Sequence, residues 1–239
     1  MMPDKPRANP KKSLGQNFLI NPGVAERIAK ESVSLQPCGV LEIGSGLGAL
    51  TCQLAPLCQK LVAVEIDGEL TQGLEHSLMQ KGIKNVEMVH GDALKLDLRT
   101  LIAKKFEGLP VVVSANLPYY ATSPILTRLL EEELGLQTIT VMVQKEAGVR
   151  FCAELKTREV GAISFLVRFY TEPRFLFSVS RGSFNPVPNV DSAVVRFAFH
   201  KRQPVDERDK ALFFGLVRKS FEQRRKTILN SLAGFIRLF

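Results

Sequence analysis

Short apolar, β-branched runs alternate with stretches of helical spacing over the first 145 residues. Runs of this kind predict buried strands, and strands that alternate with helices predict a parallel sheet with right-handed crossovers. The five predicted strands are Gly39–Ile43, Leu61–Ile66, Val86–Val89, Val111–Ala115 and Thr138–Val143.

Helix signals lie between and before these strands. Helical spacing covers Asp67–Lys81 and Ser123–Glu133, and the second helix is expected to begin with Ser123 as N-cap and Pro124 at its first position. Asn21 and Pro22 give the same start signal for a helix that precedes the sheet.

The pattern changes after Phe151. Ala162–Tyr170 and Ser192–Phe199 are predicted strands, and the proline-containing loop Phe184–Ser192 lies between them. Beyond Pro204 the sequence becomes basic and helical, with helices predicted over Ala211–Lys219 and Gln223–Leu232. We therefore predict an α/β domain over residues 1–203 and a small helical domain over residues 204–239.

Composition indicates an ordinary globular chain of 239 residues, of which 45% are apolar and 23% charged. No apolar run approaches the roughly 20 residues of a membrane span, so we expect a cytoplasmic protein without membrane contact. The four cysteines form no C-x-x-C pair and the three histidines are scattered, so we expect reduced cysteines and no metal site.

The net charge of +8 is concentrated at the two ends of the chain. Residues 13–200 carry 18 basic and 19 acidic side chains, whereas residues 201–239 carry ten basic and four acidic ones. Basic ends favour a polyanionic partner, because neutralised phosphates release counterions. Solubility alone is an equally good explanation of the charge.

A glycine-rich turn follows the first predicted strand. Glu42 precedes Gly44, Gly46 and Gly48, a G-x-G-x-G spacing that suits a nucleoside ligand without phosphates better than the dinucleotide pattern does. The candidate ligand contacts here are Glu42, Gly44 and Gly46. A tight turn between strand and helix without any ligand would use the same glycines.

Two carboxylates follow the next two predicted strands. Glu65 ends the second strand, where a doubly wound sheet presents the group that accepts ribose hydroxyls. Asp92 follows the third strand and is a candidate acceptor for an adenine amino group. Either carboxylate alone could be a solvated loop residue, but together they predict a nucleoside site at the carboxyl edge of the sheet.

The fourth predicted strand ends in Asn116-Leu117-Pro118-Tyr119. The Asn116 amide oxygen and the Leu117 carbonyl can accept the two hydrogens of an exocyclic amine and direct its lone pair at a methyl donor. Pro118 shapes the turn, and Tyr119 offers a face for an extruded base. The alternative interpretation is an Asn-Pro turn followed by a core tyrosine.

Five segments in this order resemble the ribosomal RNA adenine N6,N6-dimethyltransferase family, and the match runs from about residue 11 to residue 232. The segments are Lys12–Leu19 (KSLGQNFL), Glu42–Gly48 (EIGSGLG), Asn116–Tyr119 (NLPY), Phe184–Ser192 (FNPVPNVDS) and Ser220–Thr227 (SFEQRRKT).

The resemblance implies a Rossmann-like methyltransferase sheet of seven strands with a small helical C-terminal domain, and S-adenosylmethionine as methyl donor. It implies cofactor contacts, a second aromatic ring at the target base and an RNA-binding run. The cofactor contacts would be Gln16, Asn17, Leu19, Gly44, Glu65, Asp92 and Asn116. Phe184 would face Tyr119 across the base, and Arg224, Arg225 and Lys226 would touch rRNA phosphates, although a solvated helix face is the other explanation of that run.

The implied substrate is a pair of adjacent adenosines in the terminal hairpin loop of small-subunit rRNA, within the assembling subunit. Family members usually continue for a few tens of residues beyond the position of Phe239, so we expect the helical domain to be incomplete. The alternatives are a large-subunit methylase of the antibiotic-resistance type and a ribosome-assembly factor that binds without catalysis. A monomer is expected, because no apolar heptad pattern is present.

Overall fold

The computed structural model of the protein describes residues 10–11, 14–34, 36–201, 207–222 and 227–236. It contains nine strands and nine α-helices over these ranges. The strands are β1 (Phe18–Leu19), β2 (Gly39–Ile43), β3 (Lys60–Glu65), β4 (Val86–His90), β5 (Val111–Asn116), β6 (Leu136–Gln144), β7 (Thr171–Val179), β8 (Phe184–Asn185) and β9 (Ser192–Phe199). The helices are α1 (Pro22–Ser32), α2 (Thr51–Leu54), α3 (Gly68–Gln80), α4 (Leu98–Phe106), α5 (Thr122–Glu131), α6 (Lys145–Cys152), α7 (Ala162–Tyr170), α8 (Glu207–Glu222) and α9 (Ile228–Ile236).

Seven strands form one sheet in the order β4-β3-β2-β5-β6-β9-β7. The first five in this order are parallel, and β9 runs antiparallel to both β6 and β7. The carboxyl ends of the parallel strands and the amino end of β9 therefore meet at one edge of the sheet. The small pair β1 and β8 joins Leu19 to Phe184 in antiparallel register.

Both faces of the sheet are covered. Leu41 and Val113 lie in the core on one face, and Val40 and Val112 in the core on the other. All five predicted parallel strands are confirmed within one or two residues at each end. Four of them, β2, β3, β5 and β6, are largely buried, and strands buried on both faces read as continuous apolar runs.

The predicted helix starts were confirmed at Asn21 and corrected at Ser123. The Asn21 side chain accepts hydrogen bonds from Gly23 N and Val24 N, at 3.1 and 3.3 Å. Helix α5 begins two residues earlier than expected, with Ala121 at the N-cap position and Thr122 as its first residue, so Ser123 is not its N-cap. Pro124 is tolerated at the third helical position because the first turn of a helix has no internal acceptor for its N–H groups.

The prediction of a strand over Ala162–Tyr170 was wrong, since these residues form helix α7. A short run rich in aromatic and branched residues does not distinguish a buried helix from a buried strand. The strand is the following segment, β7, which contains Pro173. Proline is accepted there because β7 lies at the edge of the sheet.

Helix α8 covers the predicted Ala211–Lys219 helix and packs on the sheet domain through aromatic side chains. The ring of Phe214 lies 4.8 Å from the ring of Phe169 and 6.0 Å from that of Tyr170, measured between centroids. Part of the predicted Gln223–Leu232 helix lies outside the described residues, and α9 begins at Ile228. Within the described ranges, no helix is long and apolar enough to cross a membrane.

Candidate active site

A cavity lies at the edge of the sheet where the parallel strands end. Its wall is formed by the segment before β1, the turn after β2, the ends of β3 and β5, the loop after β4, and β8. The predicted site residues in this wall are Gln16, Asn17, Leu19, Gly44, Gly46, Glu65, Asp92, Asn116, Leu117, Pro118, Tyr119 and Phe184. The structure thus brings together residues from six segments of the sequence.

The turn after β2 needs its glycines. Gly44 and Gly46 have φ values of +78° and +54°, a region that residues with a Cβ rarely adopt. A Cβ on Gly44 would lie 3.3 Å from the carbonyl oxygen of Asn116. The bare backbone therefore lets the turn approach the end of β5 and leaves the cavity open to a ligand.

Glu65 is oriented by two backbone donors. Its Oε2 accepts a hydrogen bond of 2.8 Å from Gly46 N, and its Oε1 accepts one of 3.0 Å from Asp67 N. A carboxylate has about four acceptor positions, so both oxygens keep capacity for a ligand. With the side chain 95% buried and lining the cavity, the geometry suits a pair of ribose hydroxyls.

Asp92 lies next to two exposed apolar side chains in the cavity wall. Ile66 is 40% exposed and Leu94 38% exposed. Asp92 Oδ1 accepts from Leu94 N at 2.9 Å, and its Oδ2 lies 3.8 Å from Lys95 Nζ. An acceptor and two exposed apolar side chains in the same wall fit the edge and the faces of an adenine ring. The sequence interpretation had found the carboxylate but not Ile66 and Leu94, which carry no polar signal.

Gln16 connects the segment before β1 to Asp67, the residue before α3. The Gln16 side chain donates to Asp67 Oδ2 at 3.1 Å and accepts from Lys11 N at 2.7 Å, and Lys11 Nζ lies 2.8 Å from Asp67 Oδ1. Burial alone would raise the pKa of Asp67, but the hydrogen bonds from Lys11, Gln16 and Glu69 N outweigh it and lower that pKa. Gln16 therefore holds the segment before β1 in place through Asp67, a partner that the sequence interpretation missed.

Glu42 was predicted as a cofactor contact, but it is not among the residues that line the cavity. It is 1% exposed, and neither carboxyl oxygen has a hydrogen-bond partner among the described residues. Burial raises the pKa of Glu42 to about 8, and the charge of Glu65 contributes in the same direction. The environment of Glu42 therefore favours the protonated, uncharged form of its carboxyl group.

Asn116, at the end of β5, is hydrogen-bonded to the segment before β1. Its Nδ2 donates to the Asn17 carbonyl at 3.4 Å, and no group in the described part of the chain donates to its Oδ1. The amide oxygen is therefore available as an acceptor. The following residue, Leu117, is held against the sheet by a 3.2 Å bond from its N–H to the Met142 carbonyl.

Two aromatic side chains line the cavity beyond Asn116. Tyr119 is half-buried, and its hydroxyl lies 3.0 Å from Ser192 Oγ. Phe184 is 2% exposed and is held by the pairing of β8 with β1. The structure therefore brings both predicted aromatic residues to the same cavity. Arg224, Arg225 and Lys226 lie outside the described residues.

A glycine turn, a ribose-type carboxylate and an adenine-type carboxylate at the carboxyl edge of this seven-stranded sheet define a methyltransferase that uses S-adenosylmethionine. The Asn-Leu-Pro-Tyr loop beside that site is the arrangement expected for methylation of an exocyclic amine.

Comparison with known proteins agrees with this class. The family model described as ribosomal RNA adenine dimethylase matches residues 7–236, so the chain belongs to the ribosomal RNA adenine dimethylase family. Members of this family methylate rRNA adenine with S-adenosylmethionine, and the chain is such an enzyme.

Similar proteins include two named ribosomal RNA small subunit methyltransferase A. The protein from Geobacillus sp. (strain WCH70) is 45% identical over 225 residues, covering 94% of this chain and 77% of that protein. The protein from Bacillus licheniformis is 46% identical, covering 94% of this chain and 76% of that protein.

Two solved structures share the fold. A dimethyladenosine transferase from Plasmodium falciparum has a TM-score of 0.77 and 28% identity, covering 90% of this chain and 74% of that chain. The 23S rRNA methyltransferase ErmE has a TM-score of 0.75 and 27% identity, covering 91% and 84%.

Proposed function

We propose that this protein transfers methyl groups to N6 of two adjacent adenosines in the 3′-terminal hairpin loop of small-subunit rRNA, giving N6,N6-dimethyladenosine. The observation that carries the chemistry is the free acceptor Asn116 Oδ1, which lies between the glycine turn and the two aromatic side chains. The small subunit is favoured by the relatives at 45% and 46% identity, whereas the large-subunit enzyme ErmE is 27% identical. A purely binding factor would not need Asn116.

In this proposal the cofactor contacts are the residues of the cavity wall near β2, β3 and β4. Glu65 accepts the ribose hydroxyls, Asp92 accepts the adenine amino group, and the backbone of Gly44 and Gly46 lies under the ligand. Gln16, Asn17 and Leu19 close the cavity from the N-terminal side. S-adenosylmethionine supplies an electrophilic methyl group on its sulfonium.

Asn116 and Leu117 orient the target amine. The lone pair of an adenine amine is delocalised into the ring, so it must be aimed at the methyl group. Asn116 Oδ1 and the Leu117 carbonyl accept the two amine hydrogens, which leaves the lone pair pointing along the transfer direction. No strong general base is required, because the proton leaves after the methyl group has arrived.

Tyr119 and Phe184 hold the extruded base between them. Stacking on an aromatic side chain contributes roughly 1–3 kcal/mol per base, which offsets part of the cost of unstacking the adenosine from the loop. Pro118 fixes the turn that presents Tyr119, since its carbonyl accepts from Ala121 N at 3.0 Å.

The basic run Arg224-Arg225-Lys226 contacts rRNA phosphates in this proposal. It lies in the residues from 204 onward, which we assign to a helical RNA-binding domain appended to the methyltransferase domain of residues 1–203. The protein acts as a monomer in the cytoplasm, on the small subunit during its assembly.

Labelled S-adenosylmethionine tests the proposal directly. Small and large ribosomal subunits that lack adenine methylation are each incubated with the protein, and the digested rRNA is analysed by mass spectrometry. Dimethyladenosine at adjacent positions of the small subunit alone is the expected result. Methylation of the large subunit would contradict the substrate, and cofactor binding without transfer to either subunit would favour a binding role.

A further inference from the structure

Ser192 does not line the cavity, but it contacts the aromatic side chain of Tyr119 there. Its Oγ lies 3.0 Å from the hydroxyl of Tyr119, which is 73 residues away in the sequence. Ser192 is fully buried at the start of β9, whereas Tyr119 is half-buried in the cavity wall. The hydrogen bond therefore connects the sheet to a ring that faces the cavity.

The backbone around Ser192 is fixed from both sides. Ser192 pairs with Gln144 on β6 and with Val179 on β7. The preceding residue is also tied, since the Asp191 carbonyl accepts from Lys145 N and Asp191 Oδ1 accepts from Arg181 N, both at 3.0 Å. The position of Ser192 Oγ is thus set by the sheet.

Tyr119 stands on a loop and depends on a remote partner. The turn at Pro118 holds the backbone through hydrogen bonds from Ala121 N at 3.0 Å and Thr122 Oγ1 at 3.2 Å. These bonds do not restrain rotation of the Tyr119 ring. In the described part of the chain, the side-chain hydrogen bond of Tyr119 is the one to Ser192.

We propose that Ser192 is a positioning residue, which holds the Tyr119 ring in the orientation that stacks on the target adenine. Stacking requires that the ring lie against the base, and an anchor at the hydroxyl keeps the side chain from swinging away without touching the base. This inference rests on the proposed function. The inference explains why a tyrosine stacks on the base and why a serine is hydrogen-bonded to its hydroxyl.

A double-mutant cycle tests the pair, using Ser192→Ala, Tyr119→Phe and the double variant, with unmethylated small subunits as substrate. Each single change removes the same hydrogen bond, so each is expected to lower kcat about 2- to 10-fold, as a net bond of 0.5–1.5 kcal/mol implies. The double variant is expected to be no slower than either single one. The affinity for S-adenosylmethionine should stay at the wild-type value in all three.

Ser114→Ala is the matched control. Ser114 is also fully buried in the sheet, its Oγ lies 2.9 Å from the hydroxyl of Ser32, and neither of these serines lines the cavity. This variant loses a bond of the same kind, so it should lose stability to a similar extent while kcat is unchanged. An equal loss of kcat in Ser114→Ala would mean that general loosening of the sheet explains the effect.

Multiplicative effects in the double variant would overturn the inference, as would a parallel loss of cofactor affinity. If Ser192→Ala does not fold, Tyr119→Phe still removes the bond without creating a cavity in the sheet, and wild-type kcat in that variant would also overturn it. The wild-type protein separates this result from failure of the proposed function. If the wild type does not methylate the small subunit, the proposed function is wrong. If the wild type is active but the effects of the two single changes add up in the double variant, only the positioning role of Ser192 is wrong.

Discussion

The two halves of the active site are built in different ways. In the cofactor half, Glu65 and Asp92 come from consecutive strand ends, and backbone N–H groups fix their carboxylates. In the base half, Tyr119, Phe184 and Ser192 come from three segments of the chain, and their side chains are held by contacts between those segments. The cofactor half therefore depends on local geometry, and the base half on long-range packing.

Asn116 belongs to both halves and should give the largest effect. Replacing it by alanine removes the acceptor that orients the amine, so Asn116→Ala is expected to lower methyl transfer about 100-fold, as loss of a preorganised polar contact in an active site does. The affinity for rRNA should remain, as measured by filter binding or by fluorescence titration. A loss of rRNA affinity equal to the loss of transfer would contradict its role in orienting the amine.

Glu65→Ala should affect the cofactor half alone. Loss of charge-assisted hydrogen bonds to the ribose is expected to weaken binding of S-adenosylmethionine by more than about 1 kcal/mol, or roughly 5-fold, in calorimetric titration. The affinity for rRNA should not change. An unchanged cofactor affinity would remove Glu65 from the ribose site.

Arg225→Ala should affect neither half of the cavity. If Arg225 contacts a phosphate, rRNA affinity falls a few-fold, and the slope of log affinity against log salt becomes shallower by about 1. The readout is an rRNA titration at several salt concentrations. A wild-type salt slope would favour a solvated helix face for Arg225.

Glu42→Gln should change stability and not chemistry. The pKa of Glu42 is raised to about 8 from an ordinary value near 4.5, so the folded protein keeps a proton that the unfolded chain releases in that window. The stability of the wild type therefore falls as pH rises from about 4.5 to about 8, and glutamine removes this dependence.

The Tm of Glu42→Gln minus the Tm of the wild type is accordingly expected to increase from pH 5 to pH 8 in thermal melts. Glu154→Gln, the same change at an exposed position, is measured alongside as the control for the substitution itself. Parallel curves for Glu42→Gln and the wild type would show that Glu42 is ionised in the folded protein.

The contrast between the two halves also explains what the sequence could predict. Strands buried on both faces and a glycine turn leave local patterns, so β2 to β6, Glu65 and Asp92 were predictable. The Ser192 contact to Tyr119 has no local pattern, because it depends on the reversed direction of β9. The burial of Glu42 was not predictable either, since the acidic position in the motif does not reveal which face of β2 it occupies.

The claim that the cofactor half does not depend on the base half is tested most directly by a calorimetric titration of Tyr119→Ala with S-adenosylmethionine. The change removes the stacking surface for the base and leaves the backbone donors around Glu65 in place. Our account predicts a cofactor Kd equal to that of the wild type, in a variant that methylates subsaturating rRNA at least about 5-fold more slowly. A Kd that weakens in parallel with methyl transfer would contradict it.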